Sequence, residues 1–209
     1  MLHILIADDH AIVRKGLKQL ILEEYPTAII DEVSDVESLI AKVIKQQWDI
    51  VISDISMPGR SGLEALQQIK EINSKIPVLI MSMHPEDQYA LRVFKAGASG
   101  YLSKDHVHEE LIKAIQMIQQ GRKFITASIA EKLAGALDTG SDKQPHEYLS
   151  NREFDVLKML ATGKSVSEIA DQLSLSSTTV STYRSRIMEK TGMKTNADIT
   201  RYALEKKLI

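Results

Sequence analysis

The sequence predicts an α/β domain with a doubly wound, five-stranded parallel sheet, followed by an all-α domain. Three observations carry this reading. Short apolar, β-branched runs alternate with amphipathic helical patterns over residues 3–120. From residue 149 onward the patterning is helical throughout. The charge also changes sign: residues 1–148 carry 16 Lys and Arg against 21 Asp and Glu, while residues 149–209 carry 10 against 7. An acidic front and a mildly basic back point to two parts with different partners, the second compatible with nucleic acid.

The strand candidates are His3–Ala7, Ala28–Val33, Ile50–Ser53, Val78–Ser82 and Gly100–Leu102. Runs this short, with little polar alternation, suit strands buried on both faces. Helical patterns fill 11–24, 36–47, 61–73, 86–96 and 107–120. Ile12, Leu17, Leu20 and Ile21 stripe the first of these, and Leu111, Ile112, Ile115 and Ile118 the last. Ser61-Gly-Leu-Glu64 reads as a capping box at the start of the third helix. Short connections between alternating elements predict a parallel sheet with helices on both faces.

A further helical pattern covers 126–137, and "DTGSDKQPHEY", 138–148, then loses all periodicity and reads as a linker. Ser150-Asn-Arg-Glu153 is a second capping box, with Leu149 and Phe154 placed as a hydrophobic staple. The next helix starts at a third box, Ser165-Val-Ser-Glu168, and ends near Leu173. Ser174-Leu175-Ser176 turns the chain into a helix over 177–190, which Gly192 closes, and 196–207 forms the last. Two short helices around a tight turn, the second rich in Ser, Thr and Arg, make a helix-turn-helix pattern.

Composition removes several classes of function. The 209 residues include no cysteine, which excludes disulfides, thiolate metal sites and cysteine nucleophiles. No apolar stretch approaches the roughly 18 residues of a membrane span. The opening MLHILIADDH turns acidic too early for a signal peptide. The expectation is a cytoplasmic protein with no membrane association.

In "DIVISDISMPGRSG", 49–62, a strand-forming run ends on Asp54. In open parallel sheets, ligands bind beyond the carboxyl ends of the strands, at the switch point. Asp8 and Asp9 follow the first strand and Asp54 the third, neighbours in a sheet of order 2-1-3-4-5. Clustered carboxylates repel and call for a cation, and an all-oxygen set points to Mg²⁺. Ser82 and Lys104 arrive from the ends of the next two strands. A carboxylate nucleophile, a metal, a hydroxyl and a lysine together make a phosphoryl site. In it Asp54 attacks phosphorus and Lys104 neutralises phosphoryl oxygens.

Asp8-Asp9, Asp54 with Met57-Pro58, Ser82, and "KAGASGYLSKD" from Lys95 to Asp105 resemble the flavodoxin-like receiver domain of bacterial two-component response regulators. The resemblance spans 1–121. It implies that Asp54 takes a phosphoryl group from a phosphohistidine on a sensor histidine kinase. It also implies that Asp9, Asp54 and the Ser56 carbonyl bind Mg²⁺ directly and Asp8 through water. Tyr101 becomes the aromatic that follows Ser82 when Ser82 moves toward the phosphate. The chain departs from the commonest pattern at Asp105, where many receivers carry proline, so the usual cis bond after Lys104 is not expected. It departs again at Met83, where a small residue is common and a thioether is expected to restrict access. His106 and His108, about 200° apart on a helix, read as surface residues rather than a metal pair.

On the helix over 177–190, Val180, Tyr183 and Ile187 share the buried side, with Met188 at its flank. Thr178, Ser181, Thr182, Ser185, Arg186 and Glu189 spread over the other side, and Arg184 stands at the boundary as a phosphate candidate. "LSNREFDVLKMLATGKSVSEIADQLSLSSTTVSTYRSRIMEKTG", 149–192, resembles the LuxR-type helix-turn-helix of NarL/FixJ-family regulators. Leu149-Ser150-x-Arg152-Glu153, Glu168-Ile169-Ala170, Thr179-Val180 and Lys190-x-Gly192 carry the likeness. It implies that the helix beginning near Ser177 enters the major groove. The candidate DNA contacts are then Thr178, Thr179, Ser181, Thr182, Arg184, Ser185, Arg186 and Lys190. The family often has lysine at the position of Ser181 and histidine at that of Tyr183.

The resulting organisation is a receiver over 1–121, a helix and flexible linker over 122–148, and a DNA-binding domain over 149–209. The expected function is phosphorylation-controlled regulation of transcription. Its expected partners are a sensor histidine kinase, promoter DNA, and a second copy of the chain on phosphorylation. A constitutive or ligand-controlled DNA-binding protein with a vestigial receiver is the alternative. An aspartyl-phosphate phosphatase needs a second acid two residues after its nucleophile, where this chain has Ser56; an enzyme is therefore not expected.

Overall fold

The computed structural model describes residues 1–57, 60–83, 86–138 and 144–209. It divides into two units, Met1–Asp138 and Thr139–Ile209. In the first unit, strands β1 (His3–Ala7), β2 (Ile29–Val33), β3 (Ile50–Asp54), β4 (Val78–Ser82) and β5 (Gly100–Ser103) alternate with helices. These are α1 (Ala11–Glu24), α2 (Val36–Lys45), α3 (Gly62–Ile72), α4 (Glu86–Lys95) and α5 (Val107–Gln119), with α6 (Ala127–Asp138) after them. All pairings are parallel and the order is β2-β1-β3-β4-β5, as the alternating pattern predicts. β3 and β4 are buried at every position, which explains why the sequence shows unbroken apolar runs there.

Two of the boundaries that differ from the sequence reading lie beside the site residues. β3 continues through Asp54, so this carboxylate stands on the last strand residue. β5 reaches Ser103, and Lys104 opens a 3₁₀ turn over Lys104–His106. No cis peptide bond occurs among the described residues. Phe124 forms an isolated parallel bridge with Gly100, a contact no periodicity announced. A side chain at Gly100 would come within 3.0 Å of Phe124 Cβ, so glycine permits that approach. Pro58, part of the family likeness, lies outside the described residues.

Gly62 does more than open α3. A Cβ there would lie 1.9 Å from the carbonyl oxygen of Asp54, whose chain segment also receives the Gly62 N–H through Ile55 O at 2.9 Å. The capping box of Ser61 and Glu64 is present, so the start of α3 is fixed against the end of β3.

The second unit holds α7 (Asn151–Ala161), α8 (Val166–Leu173), α9 (Ser177–Thr191) and α10 (Asn196–Glu205). The boxes at Ser150–Glu153 and Ser165–Glu168 both form, and Leu149 and Phe154 are both buried. A further box, Thr195–Asp198, starts α10. Between α8 and α9, Ser174 closes one helix in the left-handed conformation and Ser176 caps the next. Of the stretch read as a linker, 139–143 lie outside the described residues and Asp138 belongs to α6. Pro145–Tyr148 form a 3₁₀ turn, with His146 Nδ1 2.7 Å from the Tyr202 hydroxyl and its ring beside Phe154. A single turn built on proline at its first residue leaves no periodic signal.

Lys190, expected at DNA, is at the surface and pairs with a carboxylate of this unit. Its Nζ lies 2.6 Å from Glu153 Oε2, and that carboxylate also accepts the Ser150 N–H at 2.7 Å. Glu153 is only 2% exposed, so α9 answers a buried charge on α7. Burial alone would push the Glu153 pKa up. The bonds from Lys190 and Ser150 prevail and hold it below the ordinary glutamate range.

Two predictions follow from this packing. Gly62→Ala should lower stability by about 1–3 kcal/mol through overpacking against Asp54, seen as a reduced denaturation midpoint; an unchanged midpoint would refute the contact. Lys190→Ala should cost about 1–3 kcal/mol near neutral pH by leaving Glu153 buried without its cation. The Glu153 pKa is lower folded than unfolded. Its contribution is therefore complete above about pH 4.3 and fades as pH falls through the folded value. The wild-type and variant stability curves should accordingly converge on acidification, and parallel curves would count against the pair.

Candidate functional site

The sheet brings the separated acids to one edge. The register pairs Ala7 with Ser53, which places Asp8 beside Asp54 just past the strand ends. Asp8 is fully buried and Asp54 nearly so, while Asp9 is exposed at the rim. Lys104 reaches between the buried pair: its Nζ lies 2.6 Å from Asp8 Oδ2 and 2.9 Å from Asp54 Oδ2. The second oxygens are held too. Asp54 Oδ1 accepts the Ser56 N–H at 3.2 Å, and Asp8 Oδ1 accepts the His10 N–H at 2.8 Å. Arg14 Nη1 donates to the Asp8 carbonyl at 2.7 Å and so ties α1 to the end of β1.

Burial pushes the Asp54 pKa above the ordinary aspartate range; Lys104 opposes this and the Asp8 charge adds to it. For Lys104, burial works against the charge, but hydrogen bonds to Asp54 and Asp8 outweigh it and raise its pKa. Two buried carboxylates thus share a single ammonium, and Asp9 adds a further negative charge beside them. Ligand atoms of Asp8, Asp9, His10 and Asp54 all lie within 4.8 Å of one another. Hard carboxylate oxygens in this charge surplus fit a divalent cation.

The remaining predicted residues flank this cluster. Ser82 ends β4, is fully buried, and pairs in register with Ser103. Tyr101 on β5 is also fully buried. Ser56 is exposed at the rim. Met83, expected to restrict access, instead stands at the surface with 65% of its area exposed, because the chain leaves the sheet after Ser82. The sequence reading passed over His10, Arg14 and Gly62. His10 was legible only as the neighbour of two acids, and Gly62 only as part of a capping box.

On α9, Val180 and Ile187 are buried, and Tyr183 and Met188 half-buried beside them. Thr178, Ser181, Thr182, Ser185 and Arg186 form an exposed face. Their hydroxyls are not idle: Thr182 Oγ1 donates to Thr178 O and Ser185 Oγ to Ser181 O, leaving lone pairs outward. Thr179 takes part in the helix cap with Ser176, half-buried. Arg184 Nε donates to Asn196 Oδ1 at 2.8 Å, linking α9 to α10. Thr179, Arg184 and Lys190 are therefore engaged locally, and the open face is the narrower set of five.

Comparison with known proteins agrees with both units. Residues 4–116 match the response regulator receiver domain, and residues 147–203 match the bacterial regulatory proteins of the luxR family. The response regulator UvrY of Escherichia coli is 31% identical over 205 residues, covering 98% of this chain and 94% of that protein. The oxygen regulatory protein NreC of Staphylococcus carnosus is 34% identical over 213 residues, covering 99% and 98%. Among solved structures, RcsB from Salmonella enterica serovar Typhimurium, bound to promoter rprA in the presence of phosphomimetic BeF3-, aligns with a TM-score of 0.58 and 27% identity. That alignment covers 97% of this chain and 98% of that one. Another structure holds two RcsB dimers on two parallel DNAs. These relatives are regulators, and the RcsB structures hold DNA. No helix among the described residues is long and apolar enough to cross a membrane. The chain belongs to the NarL/FixJ family of two-component response regulators, a receiver joined to a LuxR-type helix-turn-helix.

Proposed function

We propose that the chain is a transcription regulator switched by phosphorylation of Asp54, the donor being a phosphohistidine on a sensor histidine kinase. The observation that carries this reading is Lys104 bridging Asp8 and Asp54 at the sheet edge. An Asp54 oxygen attacks phosphorus as the P–N bond to the kinase histidine breaks, and the departing imidazole takes a proton from solvent. Asp8, Asp9, Asp54 and the Ser56 carbonyl are the groups that would hold Mg²⁺. When bound, Mg²⁺ supplies positive charge to the phosphoryl oxygens. Lys104, already against Asp54, follows the new charge onto the phosphoryl group. Ser82 donates its hydroxyl to the same group, and Tyr101 takes the space that Ser82 leaves. Phosphorylation thereby biases two packings of the β4 and β5 region.

The output is promoter binding by two copies on paired half-sites, since a single helix-turn-helix reads few bases. The RcsB dimers on DNA support that stoichiometry. Thr178, Ser181, Thr182, Ser185 and Arg186 face the major groove, with Arg186 able to reach guanine and the hydroxyls bases or phosphates. Arg184, Thr179 and Lys190 set the helix that carries them. A protein acting on promoters works in the cytoplasm.

Asp54→Asn should abolish label uptake from a small phosphodonor with Mg²⁺ and make promoter binding independent of that donor. Donor-stimulated binding that survives in the variant would defeat the Asp54 switch, and a wild type that takes up no label would favour the vestigial-receiver reading. Ser181→Lys should tighten DNA binding and steepen the salt dependence by about one phosphate contact. Unaltered affinity and slope in a salt titration would place Ser181 off the DNA.

A further inference from the structure

Arg14 stands on α1, where the helix needs nothing from its side chain. Its backbone N–H already bonds His10 O at 3.2 Å. A charged side chain on a surface helix ordinarily stays in water. This one turns inward and is only 18% exposed. Nη1 donates to Asp8 O at 2.7 Å. Nε lies 3.6 Å from Glu32 Oε2, beyond hydrogen-bond range, and is buried without an acceptor. Lys18 Nζ holds the other Glu32 oxygen at 3.2 Å. A buried N–H left unmet costs the fold stability, so hydrogen bonding at Nε does not account for the placement of this guanidinium.

The carbonyl that Arg14 bonds belongs to the peptide joining Asp8 to Asp9. On the other side of Asp8, its N–H donates to Val33 O of β2 at 3.2 Å. The main chain is therefore held both before and after the Asp8 Cα, by the sheet and by Arg14. Only two side-chain torsions then remain to place Oδ2 against Lys104, 2.6 Å away. The same peptide plane sets the direction in which the chain leaves for Asp9 at the rim. One guanidinium thus governs the relative setting of a buried and an exposed carboxylate. Its hydrogen bond goes to the main chain, so both carboxylates stay available to other partners. Glu32 acts from the far side: the register pairs it with Ile6, two residues before Asp8, and its carboxylate stands between Arg14 and Lys18.

We propose that Arg14 is a positioning residue of the phosphorylation site, fixing the Asp8–Asp9 peptide so that the two carboxylates form one cation-binding set. This rests on the reading of the acid cluster as the Mg²⁺ and phosphoryl pocket, and it adds a residue that touches neither group. The rival is a plain clamp between α1, β1 and β2. Loss of a clamp would lower stability and would change cation binding only as far as the fold itself is lost.

The full-length chain is titrated calorimetrically with MgCl₂ in the absence of a phosphodonor. Label uptake from phosphoramidate and the denaturation midpoint of each variant are measured in parallel. Arg14→Met, which keeps the stem and removes the donors, should weaken Mg²⁺ binding about tenfold. The Mg²⁺ needed for half-maximal label uptake should rise by the same factor, while the rate at saturating Mg²⁺ changes less. Arg14→Lys, which keeps a donor for the Asp8 carbonyl, should recover most of that loss. Glu32→Gln weakens the clamp and leaves the Asp8 carbonyl bonded, so its Mg²⁺ affinity should stay near that of the wild type. Arg14→Gln takes the place of Arg14→Met if the latter does not fold. Undiminished Mg²⁺ affinity in Arg14→Met, or equal losses in Arg14→Met and Glu32→Gln, would overturn the inference and leave the reading of the pocket standing. A wild type that binds no Mg²⁺ and takes up no label would end that reading and this inference with it.

Discussion

The structure turns on one buried ammonium. Lys104 Nζ sits between the carboxylates of Asp8 and Asp54, three groups nearly out of water. A carboxylate in such a place is costly unless paired and hydrogen-bonded. The remaining lone pairs are met by backbone donors from residues two positions further on, His10 for Asp8 and Ser56 for Asp54. The sheet order makes this possible, because β1 and β3 are neighbours and release their chains at the same edge. The pocket still holds more negative charge than Lys104 answers, and that surplus prepares it for added cations and for a transferred group with its own oxygens.

The elements were readable from sequence because parallel strands buried on both faces announce themselves as apolar runs. The boxes at Ser61, Ser150 and Ser165 fixed helix starts for a local reason, a side chain bonding a backbone three residues on. Asp54 was readable because an acid ending such a run has no place in a core. What stayed hidden depends on tertiary approach. Gly62 is required by the carbonyl of Asp54 in a different element, and nothing in the α3 pattern states it. The partner of Lys190 lies 37 residues earlier, and that of Arg184 lies on the next helix. Helical periodicity assigns a residue to a face and says nothing of what the neighbouring element presents there.

The same limit reshapes the recognition helix. Periodicity and the family likeness together named eight candidate DNA contacts on α9, Thr179, Arg184 and Lys190 among them. The fold assigns these three instead to Glu153, Asn196 and the Ser176 cap. The exposed face that remains has four hydroxyl side chains, one cation, Arg186, and the acid Glu189. Such a face leans on hydroxyls, which bond bases or phosphates without strong preference, so its sequence discrimination per module is modest. A chain of this design gains from a second copy on the same duplex, where two weak readings multiply.

The proposed switch at Asp54 would act through a core that has little room to deform. Ser82 and Tyr101 are both fully enclosed, on adjacent strands whose register sets Tyr101 beside Ile80, two residues before Ser82. Packed interiors respond to a local displacement by moving between discrete arrangements rather than by gradual strain. A phosphoryl group brings roughly −1.5 to −2 charges and new acceptor oxygens to a place where the donors within reach are already placed on strand ends. Withdrawal of Lys104 from Asp8 toward that charge would strip the buried Asp8 Oδ2 of its ammonium and leave the carboxylate to the His10 group at Oδ1. On the proposed function, that cost would be removed if a cation took the vacated side, which would link cation binding to the phosphorylated state more tightly than to the resting one.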